Sequence, residues 1–423
     1  MTALRCAQVE QEVGVELKVE VDAAEAGFEP RRLERIGARL RRYVDDGLLP
    51  GWTFVLARHG QIVLVETCGQ RDIEHGVPIE LDTIFRVYSM TKPITSVAAL
   101  MLWEEGAFEL KDPVSRFVPA FADTRVWRGG SFLSPVTDPI VEPMAIWHLL
   151  THTSGLTYGF VANHPVDELY RRAGFEWEAP AGADLAAVCD HLAALPLLFQ
   201  PGAEWAYGHS TDVLGRVVEV ASGMPLDQFF AERIFAPLGM VDSGFSVPAA
   251  EQGRLAALYT PDPSTRRATR IDAMGQRARQ TPTFLSGGGG LVSTAADYQR
   301  FAQMLARGGE LDGVRLLGPR TVRYMASNHL PGGADLTAFG RPLFSETTFD
   351  GVGFGLGVSV TLDPVVAKVP GSVGDFGWGG AASTAFWIDP VEDMTGLFLT
   401  QLLPSSTHPL RSQLKQLVHQ ALV

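Results

Sequence analysis

Through residues 28–46 the apolar positions Leu33, Ile36, Leu40 and Val44 recur at steps of three and four, with charged residues filling most of the gaps. One face of a helix collects such a set, so the spacing predicts an amphipathic helix over Phe28 to Asp46. The next apolar runs differ. Within Trp52 to Glu66, Thr53-Phe54-Val55-Leu56-Ala57-Arg58 and Ile62-Val63-Leu64-Val65-Glu66 are short, partly β-branched and joined by His59-Gly60-Gln61. That pattern predicts two strands in a hairpin. Ile94 to Gly106 is apolar almost throughout and ends on a glycine, as a buried helix would.

Between about 110 and 285, helical stretches alternate with two long Pro- and Gly-bearing segments, Thr124–Pro143 and Tyr158–Ala183. Both read as loops, and loops this long in an enzyme often cover a pocket. After Leu291 the pattern predicts a helix at Ala295–Arg307, strands at Val352–Leu362, Ala381–Ile388 and Met394–Thr400, and a terminal helix at Pro409–Leu422. This order predicts an α+β fold, an antiparallel sheet flanked by helices. Its sheet domain would be discontinuous, from residues 1–109 and 285–423. Residues 110–284 would form an inserted, mostly helical domain whose long loops cover the site.

Composition narrows the class. With 423 residues, 46% hydrophobic and 20% charged, the chain is suited to a globular enzyme of one large or two closely packed domains. A net charge of −13 without a polybasic stretch argues against nucleic acid or an anionic membrane surface as partner. Cys6, Cys68 and Cys189 lack the spacing of a disulfide framework or zinc site. Met1–Glu20 offers no apolar stretch long enough to be expected to act as a signal peptide, and no later run has the roughly 18 to 20 apolar residues of a membrane span. A cytoplasmic location is the expectation.

Candidate chemistry begins at Ser89-Met90-Thr91-Lys92, an S-x-x-K sequence. Residues three apart share a helix face, so the hydroxyl and the amine are neighbours. Pro93 fits only near a helix start, which puts Ser89 where the dipole and free N–H groups favour an oxyanion. A serine needs a base, and a lysine of pKa about 10.4 must be depressed by about three units to act as one at neutral pH. The same residues also fit a helix cap followed by a solvated lysine, and spacing alone leaves both readings open.

The wider segment Phe85 to Thr95 (FRVYSMTKPIT) resembles the nucleophile segment of the family VIII carboxylesterases, relatives of class C β-lactamases and D-Ala-D-Ala carboxypeptidases. The resemblance continues in order through Leu149 to Leu156 (LLTHTSGL), Gln200-Pro201-Gly202 with Trp205-Ala206-Tyr207, Gly288 to Ala295 (GGGLVSTA) with Asp297, and Gly377-Trp378-Gly379-Gly380. It implies a β-lactamase/transpeptidase-like fold and a serine esterase that acts on small-molecule esters without a cofactor or metal. It further implies Ser89 as nucleophile, Lys92 as base and Tyr207 as the phenol that shares the proton. An oxyanion hole from the backbone N–H groups of Ser89 and Ala381 would follow, with Trp378, Gly379, Gly380 and His209 as substrate contacts.

Two departures bear on substrate. The family's Tyr-x-Asn is here Tyr207-Gly208-His209, so the amide that contacts peptide and lactam side chains is missing. His209 either donates in its place or is a loop residue. Trp378 stands where β-lactamases and carboxypeptidases have a lysine for the substrate carboxylate; an apolar wall with one N–H suits a neutral ester. The resemblance to the esterase family further implies a preference for short acyl chains, with weak action on some cephalosporins. A β-lactamase, a peptidase or an acyltransferase using the same site is the alternative, and a silent binding module a third reading.

Other motifs lead elsewhere or nowhere. His148 and His152 have helical metal-ligand spacing but no Glu between them. Gly353 to Gly357 lacks G-x-G-x-x-G spacing, and Gly287 to Gly290 has no P-loop lysine. Gly208-His209-Ser210-Thr211-Asp212 falls short of the G-x-S-x-G elbow by ending in Asp.

Overall fold

Trp52, Phe54 and Leu56 belong to one apolar cluster and Val55 and Ala57 to another, so the strand Gly51–Arg58 is covered on both faces. This explains its unbroken apolar run, since a strand with one wet face would alternate. The computed structural model describes residues 17–177, 179–341 and 349–423. In it Gly51–Arg58 sits inside an eight-stranded sheet. In spatial order the strands are Val352–Phe354, Ser359–Thr361, Phe376–Gly379, Ala385–Asp389, Met394–Leu399, Gly51–Arg58, Gln61–Asp72 and Val77–Pro78. Every neighbouring pair is antiparallel.

The helix Pro30–Asp45 and the terminal helix Leu410–His419 cover one face, burying Leu33, Ile36, Leu40, Leu414 and Val418 against Trp52, Phe54 and Trp387. The helices Thr91–Glu104 and Ala295–Ala306 lie on the other, with Val97, Ala98, Tyr298 and Phe301 against Val55, Leu397 and Leu399. Beyond that face come the helices Pro165–Arg172, Leu185–Ala193 and Ser210–Ser222. Among the described residues no helix is long and apolar enough to cross a membrane.

Several expected elements differ. Val352–Leu362 is two short strands about a turn with Gly357 at φ 87°. The strand predicted from Ala381 starts at Ala385, because residues 380–384 turn back from Phe376–Gly379, a strand hidden by its two glycines. Thr124–Pro143 is not a loop but mostly a hairpin, Arg125–Ser131 paired with Ser134–Pro139. Phe132 and Leu133, which join its arms, carry none of the usual turn chemistry, and a register shift between Trp127 and Gly129 breaks the alternation. Tyr158–Ala183 contains a short 3-10 turn, Gly159–Val161, and the helix Pro165–Arg172, whose acidic first turn and two arginines in the last complement the helix dipole.

Candidate active site

Phe85–Arg86 pairs with Val292–Ser293, which ties the approach to Ser89 to the chain leaving the glycine run 287–290. Tyr88 then takes a φ of 45°, unusual for a bulky residue, and Tyr88–Met90 forms a 3-10 turn before the helix Thr91–Glu104. The sharp entry leaves Ser89 partly exposed, whereas Lys92 is only 1% exposed. Pro93, the third residue of that helix, lacks only an N–H that would have had no partner within the helix.

Lys92 reaches three acceptors. Its Nζ lies 3.4 Å from Ser89 Oγ and donates to the Tyr158 hydroxyl at 3.1 Å and the Gly288 carbonyl at 2.6 Å. It also sits 4.5 Å from the centroid of the Tyr207 ring, whose negative face attracts a cation. Gly288 in turn gives its N–H to Asp212 Oδ1 at 2.9 Å. Asp212 further accepts from Ser286 Oγ at 2.6 Å and stands 2.8 Å from His209 Nδ1. Burial pushes the Asp212 carboxyl up, but the hydrogen bonds and charge of His209, the Ser286 hydroxyl and Lys92 outweigh it and hold the group below its ordinary range. The glycine run thus serves close packing: a Cβ on Gly287 would lie 2.7 Å from the Thr211 carbonyl.

The phenol bonded to Lys92 is therefore that of Tyr158, a residue the sequence reading left unassigned. Desolvation, then the Asp212 carboxylate and the Tyr207 phenol, push Tyr158 well above the usual tyrosine range, which keeps it protonated. Tyr207 offers Lys92 its ring face, while its hydroxyl accepts the Trp378 indole N–H at 3.0 Å. His152 backs the Tyr207 ring at 4.9 Å between centroids. Burial and the charge of Lys92 lower the His152 pKa well below the ordinary histidine range, with Asp212 opposing. His209 is buried, turned toward Asp212, and meets Tyr158 edge to face at 4.5 Å.

The opposite wall is aromatic and backbone-lined. Trp378 packs against Tyr207, Phe354 and Phe349 at 5.4, 5.3 and 6.2 Å between centroids. Beyond Gly379, Gly380 gives its N–H to the Thr384 carbonyl at 2.9 Å and accepts from Ser383 N–H at 3.1 Å. A Cβ on Gly380 would fall 2.4 Å from the Val87 carbonyl, so this turn lies directly against the chain entering Ser89. Ala381 is partly exposed and packs in a small cluster with Tyr88.

The histidine pair does not converge on a common point. His148 Nδ1 accepts from Ala145 N–H, and His152 Nε2 lies near Thr211 Oγ1. Among the described residues no group of three or more His, Cys, Asp or Glu could hold a metal ion. The Gly353–Gly357 stretch is close packing, since a Cβ on Gly355 would lie 2.1 Å from the Met325 carbonyl.

Comparisons with known proteins agree on one family. A model of the Beta-lactamase family matches residues 36–420. Protein Rv1367c of Mycobacterium tuberculosis is 40% identical over 371 residues, covering 87% of this chain and 89% of that protein. Esterase EstB of Burkholderia gladioli is 33% identical over 386 residues, covering 86% and 90%. Among solved structures, EstCE1, described as a hydrolase with promiscuous acyltransferase activity, superposes with a TM-score of 0.78 at 28% identity, covering 92% of this chain and 99% of that one.

Proposed function

From the premise that this chain belongs to the Beta-lactamase family and is a serine hydrolase of the family VIII esterase kind, we propose that it hydrolyses short-chain carboxylic esters through an acyl-enzyme on Ser89. Lys92 takes the Ser89 proton as Oγ bonds to the ester carbonyl carbon. The electron pair of the broken π bond moves to oxygen, where the backbone N–H groups of Ser89 and Ala381 receive it, each worth about 3 kcal/mol in comparable sites. Collapse of the intermediate expels the alkoxide, which recovers a proton from Lys92 by way of a phenol. Water then attacks the acyl carbon by the reverse traffic, and carboxylate leaves.

The preference for a neutral ester rests on the indole of Trp378, which gives its N–H to Tyr207 at 3.0 Å where a lactamase would carry a lysine. A carboxylated lactam would meet an uncharged ring there. His209, at the position of the missing asparagine, is engaged with Asp212. The second reading, transfer of the acyl group to an alcohol instead of water, is favoured by the description of EstCE1.

A panel of nitrophenyl esters of increasing acyl length, run beside nitrocefin, tests the proposal, with alcohols added to reveal transfer products. Short esters should turn over far faster than nitrocefin, and Ser89→Ala should abolish turnover of both. Full activity in Ser89→Ala would end the reading. Transfer products dominating in dilute alcohol would replace hydrolysis with acyl transfer.

A further inference from the structure

We propose that Arg411, on the far face of the sheet from Ser89, is a positioning residue for the oxyanion hole, holding the peptide that carries the Ala381 N–H. The inference rests on the reading of Ala381 as an oxyanion donor. Arg411 stands on the terminal helix Leu410–His419, and its Nη2 donates to the Gly380 carbonyl at 3.1 Å and the Thr384 carbonyl at 3.4 Å. These two carbonyls open and close the turn that contains Ala381.

The peptide bond joining Gly380 to Ala381 is planar and trans, so its C=O and N–H point in opposite directions. A guanidinium that draws the carbonyl toward the helix face therefore turns the Ala381 N–H toward the other face. Trp378 projects its ring to that other face and reaches Tyr207 there, and Gly380 abuts Val87 at the entry to Ser89. The strand residue between them faces the helix: a Cβ on Gly379 would stand 2.3 Å from Arg411 Cζ. Glycine at 379 thus admits the guanidinium to the turn. In its absence the peptide would depend on the Ser383 N–H alone to hold the Gly380 carbonyl.

Two neighbouring features complete the device. Lys415, one turn along the helix, pairs with Asp375 at 2.8 Å and pins the helix beside the strand. Between helix and sheet a cavity of about 130 Å³ is lined by Gly377, Gly379, Trp387, Arg411 and Lys415, giving a small cation a place to stand if the arginine side chain is removed.

The test compares the native enzyme with Arg411→Ala and Arg411→Lys. Misplacing one oxyanion donor should lower kcat on the order of 10- to 100-fold with KM within about twofold, since the contact is made to the developing oxyanion. Added guanidinium should restore part of the kcat of Arg411→Ala and none of that of the native enzyme. Infrared difference spectra of the acyl-enzyme formed from a cinnamoyl ester separate this proposal from its foundation. A native acyl carbonyl stretch no lower than in the denatured acyl-enzyme would sink the oxyanion reading itself, and with it this role for Arg411. A lowered native stretch that stays equally low in Arg411→Ala, or a kcat unchanged within twofold, would overturn the role of Arg411 alone. Should Arg411→Ala not fold, Arg411→Lys carries the same spectroscopic and kinetic comparison, because a lysine ammonium ends one bond short of Nη2, the single nitrogen that reaches both carbonyls.

Discussion

On the Lys92 side of the cleft, polar side chains do the arranging: Lys92, Tyr158, His209, Asp212 and Ser286 form a continuous hydrogen-bonded and ring-packed group around Gly288. On the Trp378 side, one strand and one turn present backbone N–H groups and an aromatic ring, and the polar support, Arg411, comes from behind. In the proposed reaction the first wall handles protons and must hold charge out of water, which a buried group tolerates only with full hydrogen bonding. In that same proposed reaction the second wall receives a charge that exists only at the reaction's crest, and fixed amide dipoles would serve for that. The difference predicts that changes among the side chains of the first wall act on proton transfer, whereas on the second wall changes at Trp378 act on selectivity and changes at the turn act on charge stabilisation.

The largest expected effect is that of Lys92→Met, a loss of kcat/KM on the order of 10⁴-fold, read from steady-state ester hydrolysis. A loss below tenfold would mean the proton leaves Ser89 by another route. Asp212→Asn comes next, with kcat down on the order of 100-fold, because the buried amide cannot match the His209 N–H and the charge of Lys92 together. An unchanged kcat beside a lowered Tm would reduce Asp212 to a purely structural part. Trp378→Lys should move the second wall without the first. Ester kcat/KM should fall about tenfold, while turnover of a carboxylated cephalosporin rises relative to it. A parallel fall in both would show that the ring supports Tyr207 and selects nothing.

The smallest effect lies behind Tyr207, in stability. His152 and His148 are both held neutral by burial, His148 with its pKa lowered to about 4. In the unfolded chain each would bind a proton near pH 6.5. Their folded pKa values lie below the unfolded ones, so the native state is favoured above about pH 6.5 and loses that advantage as pH falls toward 4. Thermal midpoints should drop over that interval, and His148→Gln should flatten the curve. A flat curve in the native protein would contradict the burial argument.

Much of this was legible in the chain itself, and the misses have physical causes. Ser89 and Lys92 could be read because a helix brings residues three apart to one face, whatever the tertiary packing. Tyr158 could not, because nothing local links it to Lys92; it opens a stretch taken for a loop, although its place just after the HTSGL segment was a clue. Asp212 was in view as the final residue of a failed nucleophile elbow, and its use appeared only when the glycine run folded onto it. The strand Phe376–Gly379 and the hairpin Arg125–Pro139 were missed because glycine and proline, which argue against strands locally, are tolerated where neighbouring strands supply the pairing.

The middle of the sheet joins Gly51–Arg58 to Met394–Leu399, with Thr53 opposite Leu399, so its central seam links the two ends of the chain. During biosynthesis the first hairpin must therefore wait, one long edge open, until nearly every later residue has left the ribosome. Such distant closure slows folding and leaves an unpaired edge that invites association with other chains. A truncation that removes Met394–Leu399 should yield insoluble protein instead of a smaller enzyme.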